Sequence, residues 1–511
     1  MTTLGDPVRK PRPGLPHGLA GFLSLAVLVV TAGAEPFDGL TLYNRMNNRY
    51  TYLIDNDGRT VNAWYCNSNV AYMPYLMPDS TIWRPGVYSD ASLRPAAYGG
   101  LIEQYSWDGD VIRSFVWSGT NHVQHHDIHP LPNGNVLVLS LDRYTRAEAE
   151  AMGRVSISSS YIWSEKVVEY DPVADSVVWE WRFWDHLVQN ADPGKPNYGV
   201  IAEHPHRLDI NAGVVRNNGD WIHANAVDYC EMNDLIVISS HYLHEFYVID
   251  HSTTTEEARG STGGRHGKGG DILYRWGNPQ NYGRGTSADQ RFFVVHGVNF
   301  IEAGLPGAGN ILAFNNGDRP GTSNDYSSVE EIAPPRDSAG GFYIHPDSAF
   351  GPEEPVWMYS NPGTFYSNHL SGAFRMPNGN TFMIEGTKGY ITEVDSTGTV
   401  VWNRPLGGQT GRAIKYHRDF SVGTREEPET RGPKPEWRLP TIVRGSLLLG
   451  AGHNPILTGE SGLCPKPALL DISGRKVMEL QSGENDVRHL RSGVYFARAV
   501  SGRVARVVLV D

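Results

Sequence analysis

The chain has 511 residues, enough for a large core and more than one domain. Its formal charge is −12, with acids and bases interspersed, so no basic patch is offered to a nucleic-acid backbone and nucleic acid is excluded as an expected partner. The 56 glycines and 33 prolines are spread along the chain, which argues against a low-complexity polymer.

Residues 1–34 read as a secretory signal peptide. Arg9, Lys10 and Arg12 precede the apolar run 19–30, and Ala32-x-Ala34 supplies small residues before Glu35. The run is shorter than the ~20 residues a membrane span needs. Export is therefore expected.

From residue 35 to 423, short runs rich in Val, Ile, Tyr and Trp alternate with Gly, Asn, Asp and Pro turns. This predicts an all-β domain of many short strands. One motif recurs six times: an apolar pair, an acidic or polar turn, then a strand often ending in Trp. It occurs at 52–64, 101–117, 167–181, 246–276, 329–359 and 391–402. Asp, Asn and Gly suit the turn, and β-branched and aromatic residues suit the strands, so each reads as a hairpin. Between the hairpins lies a second half-unit, often ending in PNGN, GAGN or MND. Units of about 50–75 residues with about four strands each predict a six-bladed β-propeller. The segments 183–220 and 252–270 read as insertions, and 410–420 as a strand that closes the ring.

Four histidines occupy equivalent places in the second half-unit. They are His126, His223, His296 and His369, each ahead of a polar turn and an apolar strand. The first unit carries VAYMPYLMPDSTIW there instead. In a propeller such positions line the central channel, so the four are expected to share a pocket. Arg319 follows the turn FNNGD, and its planar fork of donors suits a tetrahedral oxyanion. His126, Asn225 and Asn316 are expected to bind substrate. In HHDIH (125–129), strand alternation puts His125 and His126 on opposite faces, against joint metal ligation, and no metal is expected. His204 and His206 fall in an insertion and read as surface residues. Cys66, Cys230 and Cys464 are the only cysteines; their spacing identifies no pair, and no CxxC is present.

Residues 424–440 (TREEPETRGPKPEWRLP) are charged and Pro-rich and read as a linker. Beyond it, 441–511 has short aliphatic strands that predict a small C-terminal β-sandwich.

The segments HHDIHPLPNGNVLVL, DWIHANAV, YRWGNPQNYG, GLPGAGNILAFNNGDRPG and EVDSTGTVVW resemble the bacterial arylsulfotransferases, over residues 40–420. The resemblance implies an exported six-bladed propeller that moves a sulfuryl group from a phenolic sulfate ester to a phenol. It implies a sulfated histidine in a ping-pong cycle, with no nucleotide sulfate donor and no cofactor. DWIHANAV carries a channel histidine onto His223. VVHGVNF with FNNGDR carries another onto His296 and the sulfate-holding arginine onto Arg319. The nucleophile's position in the last blade falls on Tyr390, and His369, one strand earlier, is the alternative. The stretch ALLDISGRKVMEL…LRSGVYFARAV is similar to the sorting domain of type IX secretion. That implies the secretion machinery as a partner, and a secreted or cell-surface protein of a two-membrane bacterium. A non-catalytic propeller binding a sulfated or anionic ligand is the competing reading.

Overall fold

The structure is a computed structural model that describes residues 35–319, 325–338, 340–420 and the backbone of strands within 441–511. The signal segment 1–34, the linker 424–440 and Cys464 lie outside the described residues.

The strands follow in chain order. β1 (Gly39–Asn44), β2 (Tyr50–Ile54) and β3 (Thr60–Tyr65) come first. Next are β4 (Tyr75–Leu76), β5 (Ile82–Val87), β6 (Gly100–Tyr105) and β7 (Val111–Val116). β8 (His122–Pro130), β9 (Val136–Thr145), β10 (Tyr161–Asp171) and β11 (Ser176–Arg182) follow, then the short pair β12 (Leu187–Val188) and β13 (Leu208–Asp209). β14 (Ala224–Cys230), β15 (Leu235–Ser240), β16 (Glu245–Asp250) and β17 (Tyr274–Trp276) precede β18 (Val295–Phe300), β19 (Ile311–Asn315), β20 (Ser328–Ile332) and β21 (Trp357–Ser360). The last are β22 (Gly372–Arg375), β23 (Thr381–Glu385), β24 (Tyr390–Val394), β25 (Val400–Pro405) and β26 (Ala413–His417).

They form six four-stranded antiparallel sheets: β26-β1-β2-β3, β4 to β7, β8 to β11, β14 to β17, β18 to β21 and β22 to β25. We number these blades one to six. The six hairpin motifs are the outer pairs of the six blades, as the Asp/Gly turns implied. Middle strands are packed on both faces by neighbouring blades, so LIVISS (β15) and EFYVID (β16) are buried throughout. Outermost strands have one free edge, and VIRSFV (β7) is exposed at five of its six residues.

The ring closes where the sequence indicated. β26 pairs with β1, so the last propeller strand completes the first blade. Lys415 on β26 reaches Glu393 on blade six at 2.7 Å, with both side chains fully buried. Glu393 also accepts from Phe37 N and Asn380 Nδ2, each at 2.6 Å. Lys415→Ala would leave that carboxylate buried without its cation. It is expected to cost about 3–5 kcal/mol, readable in urea unfolding.

The insertion 183–220 carries the parallel pair β12–β13, and 252–270 carries a short capped helix (Thr255–Ala258). His206 in the first insertion is half-buried rather than fully exposed. Its Nδ1 meets Ile272 O at 2.7 Å, and burial pushes its pKa down to about 4. Cys66 and Cys230 are free and buried. Beyond the linker, β27 (Thr441–Val443), β28 (Ser446–Leu449), β29 (Ala468–Leu470), β30 (Lys476–Glu479), β31 (Gly483–Asp486), β32 (Gly493–Arg498) and β33 (Val504–Leu509) form a five-stranded sheet and a two-stranded pair.

Candidate active site

The innermost strands carry the site, and they are interrupted where the histidines sit. The pairing register shifts between Gln124 and Ile128, between Ala224 and Ala226, and between His296 and Asn299. A bulge of this kind inserts extra backbone and re-aims a side chain. The left-handed residue at the break is His126 (φ 51°) in blade three and His223 (φ 53°) in blade four. In blade five it is Gly297 (φ 58°), where a Cβ would stand 2.6 Å from Ser371 O. Non-glycine residues held in this region cluster at functional sites.

The bulges bring the imidazoles together. Ring centroids are 5.0 Å apart for His126 and His223, 4.9 Å for His223 and His241, and 5.2 Å for His241 and His296. Tyr72, the blade-two residue at the place where the first unit lacks a histidine, meets His126 edge-on at 5.3 Å. Arg412, which leads into β26 of blade one, lies 5.5 Å from the Tyr72 ring. Arg412, Tyr72, His126, His223, His241 and His296 thus form one chain of contacts drawn from five blades.

Two histidines are fixed by partners at Nδ1. His223 Nδ1 lies 2.6 Å from Asp220 Oδ2, which the end of the long insertion supplies. His296 Nδ1 lies 2.7 Å from Asn316 Oδ1, and the Asn316 amide donates to Ser367 O and Leu370 O at 2.7 and 3.1 Å. With its Nδ1 proton so engaged, the neutral His296 ring presents the Nε2 lone pair. Burial pushes the pKa of His296 down to about 3, and those of His126 and His241 well below the usual value. Glu165 accepts from Ala224 N at 3.0 Å, and burial raises its pKa strongly.

His369 sits ahead of β22, half-buried, with Nδ1 2.8 Å from Asn368 Oδ1. The carbonyls of Ser367 and Leu370, on either side of it, accept from Asn316, the residue that holds His296, which sets this segment beside the cluster. Tyr390 lies at the start of β24, where its hydroxyl bonds Asn403 Oδ1 of the outermost strand at 2.8 Å. Arg319 is turned to its own loop: Nη1 donates to Gly317 O and Tyr326 O at 3.2 and 3.0 Å, and the guanidinium stacks on Tyr326 at 4.2 Å. Asn225 bridges blades, donating to Val295 O at 2.8 Å and accepting from Ser239 Oγ at 2.7 Å.

The alternation argument for His125 and His126 fails at the bulge. Their Nδ1 atoms lie 2.9 Å apart, hydrogen-bond distance for one ring to donate to the other. Among the described residues no group of three or more His, Cys, Asp or Glu side chains is placed to hold a metal ion.

Sequence reasoning missed His241, Tyr72 and Arg412. His241 lies after β15, away from the repeated position. Tyr72 and Arg412 hold repeated positions with a different residue type, so only the ring equivalence of VAYMPY and TGRAIKY with WIHANAV could have found them. Arg412 donates Nη2 to Asp127 of blade three and, at 3.2 Å, to Tyr75 Oη of blade two. Asp127 also accepts from Tyr75 Oη at 2.8 Å and from Val227 N of blade four at 3.1 Å. This buried ion pair ties together blades one to four beside the histidines.

Fold and site define the class: a six-bladed propeller with an imidazole cluster at its axis. The chain belongs to the arylsulfotransferase (ASST) family, whose model matches residues 28–419. No curated protein matches significantly. Similar solved structures include a Bacteroides caccae protein of unknown function (10% identity, 74% of this chain and 98% of that one, TM-score 0.39). Virginiamycin B lyase from Staphylococcus aureus is another (10%, 73% and 83%, TM-score 0.33). At such scores neither bears on the site.

Proposed function

We propose that the protein is an aryl-sulfate sulfotransferase that passes a sulfuryl group from a phenolic sulfate ester to a phenol through His369. Family membership supports the reaction class. The observation that carries the site is the continuous imidazole cluster, in which His223 and His296 are each oriented at Nδ1.

In the first half-reaction the Nε2 lone pair of His369 attacks sulfur. The S–O bond to the aryl group breaks, and the phenolate leaves with the bonding pair. His223, held at Nδ1 by Asp220, gives that oxygen a proton from Nε2. In the second half the acceptor phenol returns a proton to His223. Its oxygen takes sulfur from His369, and the nitrogen recovers its lone pair. His296, neutral at working pH and held at Nδ1 by Asn316, lines the pocket with its Nε2 lone pair, while the single acceptor proton goes to His223. His369 is favoured over Tyr390 because it is half-exposed beside the cluster, whereas the tyrosine hydroxyl is engaged with Asn403. An unaided phenol, with a pKa of about 10, is also a poor nucleophile.

Purified protein should release p-nitrophenol from p-nitrophenyl sulfate, faster when a second phenol is added. Folded protein that releases none overturns the proposal. Export is part of the same reading, supported by the signal-like segment 1–34 and the sorting-like C-terminal stretch. Recovery of the protein only from the cytoplasm of a two-membrane host would contradict it.

A further inference from the structure

Sulfuryl transfer needs hydrogen-bond donors for the sulfate oxygens, and the described histidines offer few. His223 and His296 spend Nδ1 on Asp220 and Asn316, and Arg319 spends Nη1 on its own loop. Besides the ring nitrogens His241 Nδ1 and His125 Nε2, two side-chain donors beside the cluster are unspent. The Tyr72 hydroxyl and the Arg412 Nε–H are both buried without a hydrogen-bond partner. The side chains themselves are nearly sealed, at 0% and 1% exposure. Buried polar groups are rarely left so, and each exception calls for an explanation.

The place is built for these two side chains. A Cβ at Gly411 would stand 3.0 Å from the Tyr72 ring, and one at Gly372 would stand 2.7 Å from Arg412 Cδ. A Cβ at Gly297 would lie 3.2 Å from the same carbon. Three glycines on three innermost segments therefore make room for the pair. Arg412 stacks on Tyr72, Tyr72 meets His126, and the Arg412 charge is felt at His296. Asp127 and Tyr75 occupy Nη2 and fix the guanidinium, with Nε–H buried and unbonded.

We propose that Tyr72 Oη–H and Arg412 Nε–H form the oxyanion clamp of the channel, holding two oxygens of a sulfate monoester against the histidines. The clamp rests on the sulfuryl-transfer reading. It gives the channel a recognition element from blades one and two, opposite the chemistry supplied by blades four to six. Held equally in ground and transition states, such contacts lower KM with little effect on kcat.

The test uses the full chain and p-nitrophenyl sulfate, with thermal unfolding measured alongside. Tyr72→Phe keeps the ring and removes only a hydroxyl that bonds nothing in the protein. Its melting temperature should equal or exceed that of the parent, because an unpartnered buried hydroxyl is a cost. Its KM should rise about tenfold or more, the worth of a hydrogen bond to a charged group, with kcat nearly unchanged. Arg412→Lys keeps a cation opposite Asp127 but has no Nε–H, and the same rise in KM is expected. Parent-like KM in both variants overturns the clamp while leaving sulfuryl transfer standing. So does a Tyr72→Phe protein that melts lower and keeps its KM, which marks the hydroxyl as structural. A folded parent that neither binds nor turns over the ester overturns both.

Discussion

His369→Ala is expected to lower turnover of p-nitrophenyl sulfate by about 10⁴-fold or more, the scale seen when a covalent nucleophile or its partner is removed. The His369 side chain is half-buried and bonds only its neighbour Asn368, so the variant should fold and melt like the parent. His223→Ala should cost about 10²–10⁴-fold, the range for loss of a positioned acid–base group. The Tyr390→Phe variant should keep near-parent rates, because that hydroxyl serves the blade's outer edge. Steady-state rates with and without added phenol check all three. The pattern matters more than any single loss: if the tyrosine variant is dead and the His369 variant active, the sulfuryl acceptor has been assigned to the wrong residue.

The second large effect is on stability at low pH. Burial holds His125 and His296 at about 3 and His206 and His244 at about 4, with His126 and His241 also well below the usual value. In the unfolded chain all six titrate near 6.5. Between those values the unfolded state binds more protons than the folded one, so stability falls as pH drops below about 6.5. Each unit of displacement is worth about 1.4 kcal/mol. The four held at about 3 or 4 alone amount to on the order of 10 kcal/mol, comparable to the whole stability of a typical domain. Urea unfolding across pH 7 to 4 should therefore show a steep loss, with unfolding complete near pH 4. A flat profile over that interval would contradict the neutral buried cluster. The alkaline side is set by His251. Burial opposes its charge, but bonds to Asp234 and Glu169 raise its pKa to about 9. Its contribution is complete below about 6.5 and fades as pH rises through 9, which puts the stability maximum near neutrality.

Much of the fold was legible because a propeller repeats its local chemistry. The turn residues marked all six outer hairpins, and the stretch 410–420, read as the closing strand, contains β26, which pairs with β1. The repeated histidines were legible for the same reason, and His126, His223 and His296 do meet near the axis. What escaped lies where the repeat changes residue type or where backbone geometry departs from a regular strand. Tyr72 and Arg412 stand in ring positions without being histidines. His241 comes from a loop between strands that the motif does not mark. His125 and His126 touch because a bulge cancels the alternation on which their separation rested. Arg319 had the right chemistry for an anion, but its Nη1 is engaged by carbonyls of its own loop, a contact that spacing alone does not reveal.

The central claim is a sulfuryl group carried on His369. The direct measurement is a single-turnover mixing of the protein with p-nitrophenyl sulfate in the absence of any acceptor phenol, followed by peptide mass analysis. A burst of p-nitrophenol stoichiometric with protein is predicted, together with one added sulfuryl group on the peptide containing His369, which disappears when a phenol is supplied. Folded protein that gives no burst, or a burst whose sulfuryl group is found on any other residue, would contradict it.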